Sequence, residues 1–362
     1  MNILVFLGHP AHYHLFKNII KKLESRNHNV IILIKSKEVL EDLCKLSKLP
    51  YHNILPKIRG NTLLSMAISI LKKDYLIYQF IKNKKIDLLI GSEASLSHVG
   101  FLRGIPSFEM AEDDAKAIKL FAFISYPFFK NIISPGICNA WLWERKKIGY
   151  EGYHELAYLS PKFFKPDFSK ISKQMKKPFF ILRFSKFVAY HDQGVSGINE
   201  ELACEIINIL KSSGNIYITS EKPLNPKLEI YRININPLDI HHALYHADMF
   251  IGDSQTMTIE AAILGTPALR YNNLVGNLSV LEELDHKYSL TYGFKTNESD
   301  KLLNKIRELV ALKEKKKIWD LRRQKMLRDK IDLVDFVVWF VENYPESVKI
   351  MKENPDYQER FR

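Results

Sequence analysis

The residues able to do chemistry gather in a few short runs. Ala247 to Asn273, ADMFIGDSQTMTIEAAILGTPALRYNN, reads as a strand at Met249 to Ile251, a turn at Gly252-Asp253-Ser254, a helix from about Thr256 to Leu264 stopped by Gly265, and a strand at Ala268 to Tyr271. The turn supplies N-cap residue types. A helix that starts directly after a buried strand points unpaired N–H groups and the positive end of its dipole beyond the sheet. That makes Ser254, Thr256 and Thr258 a seat for an anion such as a diphosphate. The same pattern fits an ordinary strand-to-helix turn in which Ser254 only caps. Near the front, the apolar run Asn2 to Leu7 meets Gly8-His9-Pro10-Ala11-His12-Tyr13-His14, whose imidazoles either handle protons or cap and pack. Arg183 ends a strand and offers a fork of donors to a diphosphate, and His191-Asp192 lie in the following loop. Glu221, at another strand end, could accept hydrogen bonds from a ribose or a base, or could simply pair with Arg183. His241 and His242 are adjacent and point in different directions, so they do not form a metal site, and no required metal is expected.

Positioning these residues takes two sets of alternating strands and helices. Asn2 to Leu7, Val30 to Ile34 and Leu88 to Ile90 read as strands, the last ending at Gly91-Ser92-Glu93. Leu15 to Ser25, Val39 to Leu46, Leu64 to Lys82 and Leu96 to Arg103 read as helices, followed by Pro106-Ser107-Phe108-Glu109-Met110. Tyr150 to Pro166 reads as irregular and linker-like. The pattern then restarts with strands at Phe179 to Leu182 and Ile216 to Ile218 around a helix at Glu200 to Lys211. Helices at Leu302 to Leu312, Trp319 to Arg328 and Leu333 to Val341 close the chain. Such alternation predicts parallel sheets with helices on both faces, and ligands at the carboxyl ends of the strands. The expected domains are 1–160 and 177–330, with 331–362 packing back on the first.

Composition narrows the class. The chain has 362 residues and 46% apolar content, enough for two cores. Cys44, Cys138 and Cys204 are widely spaced and odd in number, which fits a reducing cytoplasm. The opening MNILVFLGHPAHYH has no basic leader, and no apolar run is long enough to span a bilayer. The net charge of +12 sits in lysine clusters with no nucleic-acid-binding module around them, so no nucleic-acid partner is expected. It does suit an anionic nucleotide or an anionic bilayer face. The aromatic segment Lys119 to Trp143 reads either as core or as a partly exposed patch, flanked by Lys119 and Lys130, that touches a membrane.

The runs YEGYHELAYL (Tyr150 to Leu159), LRFSKFVAYHDQG (Leu182 to Gly194), ITSEKPL (Ile218 to Leu224), HHALYHADMFIGDSQTMTIEAAILGTPA (His241 to Ala268) and the front His12 to Lys17 resemble the domain of unknown function 354 family. That family is similar to the GT-B superfamily of nucleotide-sugar glycosyltransferases and the non-hydrolysing UDP-N-acetylglucosamine 2-epimerase. The resemblance implies two facing Rossmann-like doubly wound domains with a cleft between them. In inverting GT-B transferases a histidine after the first strand is the base, and His12 is the matching position; neutral imidazole near pH 7 suits that role. In the epimerase, Asp-Ser followed by Glu-Ala resembles Asp253-Ser254 and Glu260-Ala261, which implies phosphate contacts there and a ribose contact at Glu260. Its catalytic carboxylates correspond to Glu93 and to Glu112 or Asp114. Its front motif, Gly-x-Arg-Pro-Glu, becomes Gly8-His9-Pro10-Ala11-His12 here, without the Arg and the Glu.

The expectation is therefore a metal-independent, inverting glycosyltransferase of the cytoplasm or the inner face of the membrane, without a cofactor, taking a nucleotide diphosphate sugar such as a UDP-sugar and a sugar or lipid-linked acceptor, in surface polysaccharide or glycolipid assembly. The alternatives are a sugar-nucleotide epimerase and a non-catalytic nucleotide-sugar binder. The catalytic candidates are His12, Glu112, Asp114 and Glu93. The substrate-binding candidates are Gly8, His14, Arg183, His191, Asp192, Glu221, Asp253, Ser254, Thr256, Thr258 and Glu260.

Overall fold

The structure, a computed structural model, describes residues 1–36, 39–55, 63–184, 197–220 and 223–362, with the backbone alone at 63–66. The chain divides into two units, 1–158 with 330–362, and 159–329. The first unit runs β1 (Asn2–Leu7), α1 (Pro10–Ser25), β2 (Asn29–Lys35), α2 (Leu40–Leu46), β3 (His52–Leu55), α3 (Leu63–Ile81), β4 (Leu88–Gly91), α4 (Ala94–Arg103), β5 (Ser107–Met110), α5 (Lys119–Ser125), β6 (Asn131–Pro135) and β7 (Lys147–Tyr150), ending within the short helix α6 (Leu156–Leu159). The second runs β8 (Phe179–Phe184), α7 (Glu200–Leu210), β9 (Asn215–Ser220), α8 (Pro226–Glu229), α9 (Ile240–His246), β10 (Met249–Gly252), α10 (Gln255–Leu264), β11 (Ala268–Tyr271), α11 (Ser279–Glu282), β12 (Thr291–Phe294), α12 (Ser299–Ala311) and α13 (Lys315–Asp329). The helices α14 (Leu333–Glu342) and α15 (Glu346–Glu353) return to the first unit.

Each unit is a parallel sheet, in the order β3-β2-β1-β4-β5-β6-β7 and β12-β11-β10-β8-β9. The strands nearest each centre are near-continuous apolar runs, as burial on both faces demands; β1 buries Ile3 to Leu7 completely. Helix α1 opens on Pro10 at its first position, where the missing N–H costs nothing, and buries Leu15, Phe16, Ile19, Ile20 and Leu23 on one face. Helix α14 packs on α1, tied by a Lys22–Asp335 ion pair and by His28 Nε2, 3.0 Å from Glu342 Oε1.

The Tyr150 to Pro166 segment does carry the chain from the first unit to the second, but its first half is packed rather than loose. Tyr150 ends β7, and Tyr153, Leu156, Tyr158 and Leu159 are buried, because large apolar side chains at this spacing must leave water even without a regular period. The short strands β3, β5, β6, β7 and β12 lack the unbroken run of three apolar residues that marks the equally short β4 and β10.

Gly252 marks a close approach. It pairs with Arg183 of β8, and a Cβ there would stand 2.6 Å from the Arg183 carbonyl oxygen. Gly252→Ala is expected to lower unfolding free energy by about 1–3 kcal/mol, read as a lower urea midpoint at unchanged slope. An unchanged midpoint would show that the strands can separate at this register without strain.

Candidate functional site

Ligands of open parallel sheets bind where the strand order reverses. In the first unit that point lies between β1 and β4, and the ends of β1, β2, β4 and β5 bring together Gly8, His12, Lys35, Ser92, Glu93, Glu109 and Glu112. His12 sits in the first turn of α1 and is partly exposed. The Gly8 N–H donates to His12 Nδ1 at 3.1 Å. An acceptor Nδ1 must hold its lone pair, so the neutral ring carries its proton on Nε2. Burial pushes the imidazole down to about 3, helped by His9, His154 and Lys35, so neutral is its form near pH 7.

Glu93 is 4% exposed and sits between two lysines, with Lys35 Nζ at 2.9 Å and Lys73 Nζ on its other oxygen. Burial alone would raise its carboxyl, but the paired ammonium groups hold it below the ordinary value. It is an ion-paired carboxylate rather than an open one. Neither lysine was singled out in the sequence.

Glu109, at the end of β5, takes the opposite state. It is 1% exposed, and burial pushes it up to about 8. Ser92 Oγ is its hydrogen-bond partner and also stands 3.1 Å from the Met110 carbonyl. With Glu109 protonated, its O–H meets Ser92 Oγ and the Ser92 hydroxyl turns to Met110, so both protons are placed.

Glu112 Oε1 accepts the His154 N–H at 2.9 Å, and Glu112 Oε2 stands 3.6 Å from His154 Nδ1. That carboxylate favours a proton on Nδ1 and leaves the lone pair on Nε2, which has no hydrogen-bond partner among the described residues. Burial lowers the His154 pKa despite Glu112. The other candidates here are engaged elsewhere. Asp114 Oδ1 accepts the Asn139 N–H at 2.8 Å, fixing a loop. His14 is 6% exposed and stacks on Tyr158 at 5.1 Å, a packing position rather than a binding one.

These shifts set the pH response. The depressed histidines His12 and His154 bind protons more readily in the unfolded chain, so their stabilising share is present above the ordinary 6.5 and is lost as pH falls, for His12 toward about 3. Glu109 works in reverse: its share is present in acid and lost as pH rises through about 8. His12→Gln is expected to flatten the decline of the urea midpoint below the ordinary histidine pKa, and an unchanged decline would assign it to other groups.

In the second unit the reversal lies between β8 and β10, where Arg183 and Gly252-Asp253-Ser254 end adjacent strands. Ser254 caps α10, its Oγ accepting the Met257 N–H at 3.4 Å, while the first-turn N–H groups of Gln255 and Thr256 have no intrahelical acceptor. The Asp253 carbonyl accepts from Asn272 Nδ2 at 3.0 Å, and Gly197 packs on the Asp253 carboxylate, where a Cβ would come within 2.7 Å. Thr258 is fully buried and donates its hydroxyl to the Ser254 carbonyl at 2.6 Å, so it supports the cap from inside. Glu260 is 5% exposed, with His241 Nε2 at 2.9 Å from its Oε1; it joins α10 to α9 inside the unit rather than opening at the helix start. His242 Nδ1 accepts the Asp167 N–H at 3.0 Å. His191, Asp192 and Glu221 lie outside the described residues. Among the described residues no group of three or more His, Cys, Asp or Glu could hold a metal ion.

Solved structures share this architecture. The UDP-bound MnaA of S. aureus superposes with a TM-score of 0.67 at 11% identity, over 96% of this chain and 98% of the other. The UDP-GlcNAc 2-epimerase of Neisseria meningitidis bound to UDP-GlcNAc gives 0.60 at 11%, over 91% and 99%. The glycosyltransferase SsfS6 of Streptomyces sp. SF2575, complexed with thymidine diphosphate, gives 0.60 at 14%, over 93% and 99%. At such identities the likeness establishes the fold, GT-B, and not the reaction. No curated protein sequence matches the chain. The sequence of the DUF354 family, described as a protein of unknown function, matches residues 1–345, and the chain belongs to that family.

Proposed function

We propose that the protein is an enzyme acting on a nucleotide diphosphate sugar, as an inverting, metal-independent glycosyltransferase. The observation that carries this reading is the cluster at the carboxyl edge of the seven-stranded sheet, where His12, held neutral, neighbours the Glu112–His154 pair. Deprotonating an acceptor hydroxyl needs a neutral imidazole with an available lone pair. His154 Nε2 carries such a lone pair, in a position buried beside the cluster, whereas the Gly8 hydrogen bond leaves His12 Nε2 as a donor. The base therefore passes from His12 to His154, supported by Glu112, and His12 donates a hydrogen bond to the reacting sugar or acceptor. In the second unit the partly exposed start of α10 at Ser254 and Thr256, with Arg183, would meet the charge of the leaving diphosphate. A UDP-sugar is the first choice of donor, after the UDP and UDP-GlcNAc held by the similar structures.

A sugar-nucleotide 2-epimerase is the second reading, favoured by the 2-epimerases among the similar structures and by Glu109, a buried acid at the same sheet edge. Incubation with UDP-, GDP-, CMP- and dTDP-sugars in deuterated water separates the two. An epimerase exchanges deuterium at C2, whereas a transferase releases nucleotide slowly until an acceptor is supplied. Either enzyme gains about 2.7 kcal/mol of stability from its donor at a hundred times its Kd, so a panel with no shift in Tm would end both readings.

A further inference from the structure

Eleven of the seventeen exposed large hydrophobic side chains of the described residues fall between residues 68 and 142, all in the first unit, which is far more than scattered surface residues would give. Ile68, Leu71, Tyr75 and Tyr78 recur at helical spacing along one stripe of α3. Helix α4 packs on both α3 and α5, and it adds Phe101 and Leu102, while α5 adds Leu120 and Phe123. Ring contacts join these pieces: Phe101 meets Phe128 at 5.6 Å, and Phe123 meets Trp141 at 5.4 Å and Trp143 at 5.3 Å. The segment Lys119 to Trp143 is thus partly core, through Ala122, Tyr126 and Phe129, and partly surface.

The exposed charge of this stretch is mostly positive. From residue 68 to 146, eight lysine and arginine residues are exposed, among them Lys72, Lys84, Lys119 and Lys130, against only Asp113 and Glu144. Arg103 lies over Tyr78 at 5.4 Å and Lys84 over Phe80 at 4.3 Å, so cations and rings alternate on the surface. A second copy of the chain would bring like charges together, which is unfavourable. Aromatic and aliphatic side chains between 37% and 70% exposed, flanked by long cationic ones that can reach phosphates while their stems stay apolar, match an anionic lipid surface. No helix of the described residues is long and apolar enough to cross a membrane. We propose that the α3–α4–α5 face of the first unit docks peripherally on an anionic lipid bilayer. This stands on observations separate from the catalytic reading.

The test is co-sedimentation of the full chain with phosphatidylcholine vesicles, with and without about 30 mol% phosphatidylglycerol. Binding is expected only to the anionic vesicles and should fall at least tenfold as salt shortens the Debye length from about 10 Å to about 3 Å. Leu120→Glu with Phe123→Glu, both at exposed positions, should cut binding at least tenfold while leaving Tm and donor binding unchanged; Lys119→Glu with Lys130→Glu should do the same. Absence of vesicle binding, or equal binding to both vesicles, would overturn the proposal. So would an apolar double variant that converts a dimer to a monomer in sedimentation velocity and leaves vesicle binding intact, since the occupant would then be a second copy.

Discussion

Glu93→Gln is expected to cost about 3 kcal/mol of stability, because breaking a buried ion pair leaves the surviving charge without its partner. The substitution keeps the volume and removes only the charge that Lys35 and Lys73 share. Lys35 reaches solvent and can turn outward, whereas Lys73 is 6% exposed and stays in place, which sets the figure at the lower end for such pairs. Adding Lys73→Met should recover most of the loss, since two neutral groups replace an uncompensated charge. Urea unfolding of the single and double variants gives the answer. A single variant within about 0.5 kcal/mol of the parent, the range of ordinary surface changes, would mean that the lysines do not depend on Glu93. A double variant that regains stability but not turnover would return Glu93 to the reaction.

The contrast between Glu93 and the positions that were legible in the sequence is physical. Gly8, His12 and Ser254 each follow within five residues of an apolar run, so one local pattern fixes both the strand and the polar group beyond its carboxyl end. Lys35 closes a strand, and Lys73 sits mid-helix, where lysine ordinarily marks a solvated face; only the sheet order places both on one carboxylate. Glu260 carried a signal that points inward. A lone acid within TIEAAIL, with no polar face of its own, belongs to a buried helix and needs a buried partner, which His241 on α9 supplies. The twofold restart of strand and helix was readable because long apolar runs repeat. The short strands β6 and β7 were not, since the first has only two adjacent apolar residues before Ser134 and Pro135, and β7 shares its sequence character with the loop that follows.

His154 lies in that loop, where it carries a family likeness in the sequence but no assigned role, and replacing it should have the largest effect on turnover. His154→Gln is expected to lower kcat by about 10²- to 10⁴-fold, the usual share of a general base, with the Kd for the nucleotide sugar unchanged. His12→Gln removes a donor to the developing charge, and its cost belongs to the range of about 10²- to 10³-fold seen for such groups. The pH profile tells the two roles apart. Because burial lowers the His154 pKa, kcat/KM should be flat near pH 7 and fall only below the ordinary histidine value. Glu112 favours the protonated ring, so Glu112→Gln should move that acid limb to lower pH while reducing the rate. A His12 base would instead give an acid limb near about 3 that vanishes in His12→Gln and ignores Glu112. If Glu112→Gln leaves the limb where it was and His154→Gln keeps full turnover, the pair is structural and the proton goes elsewhere.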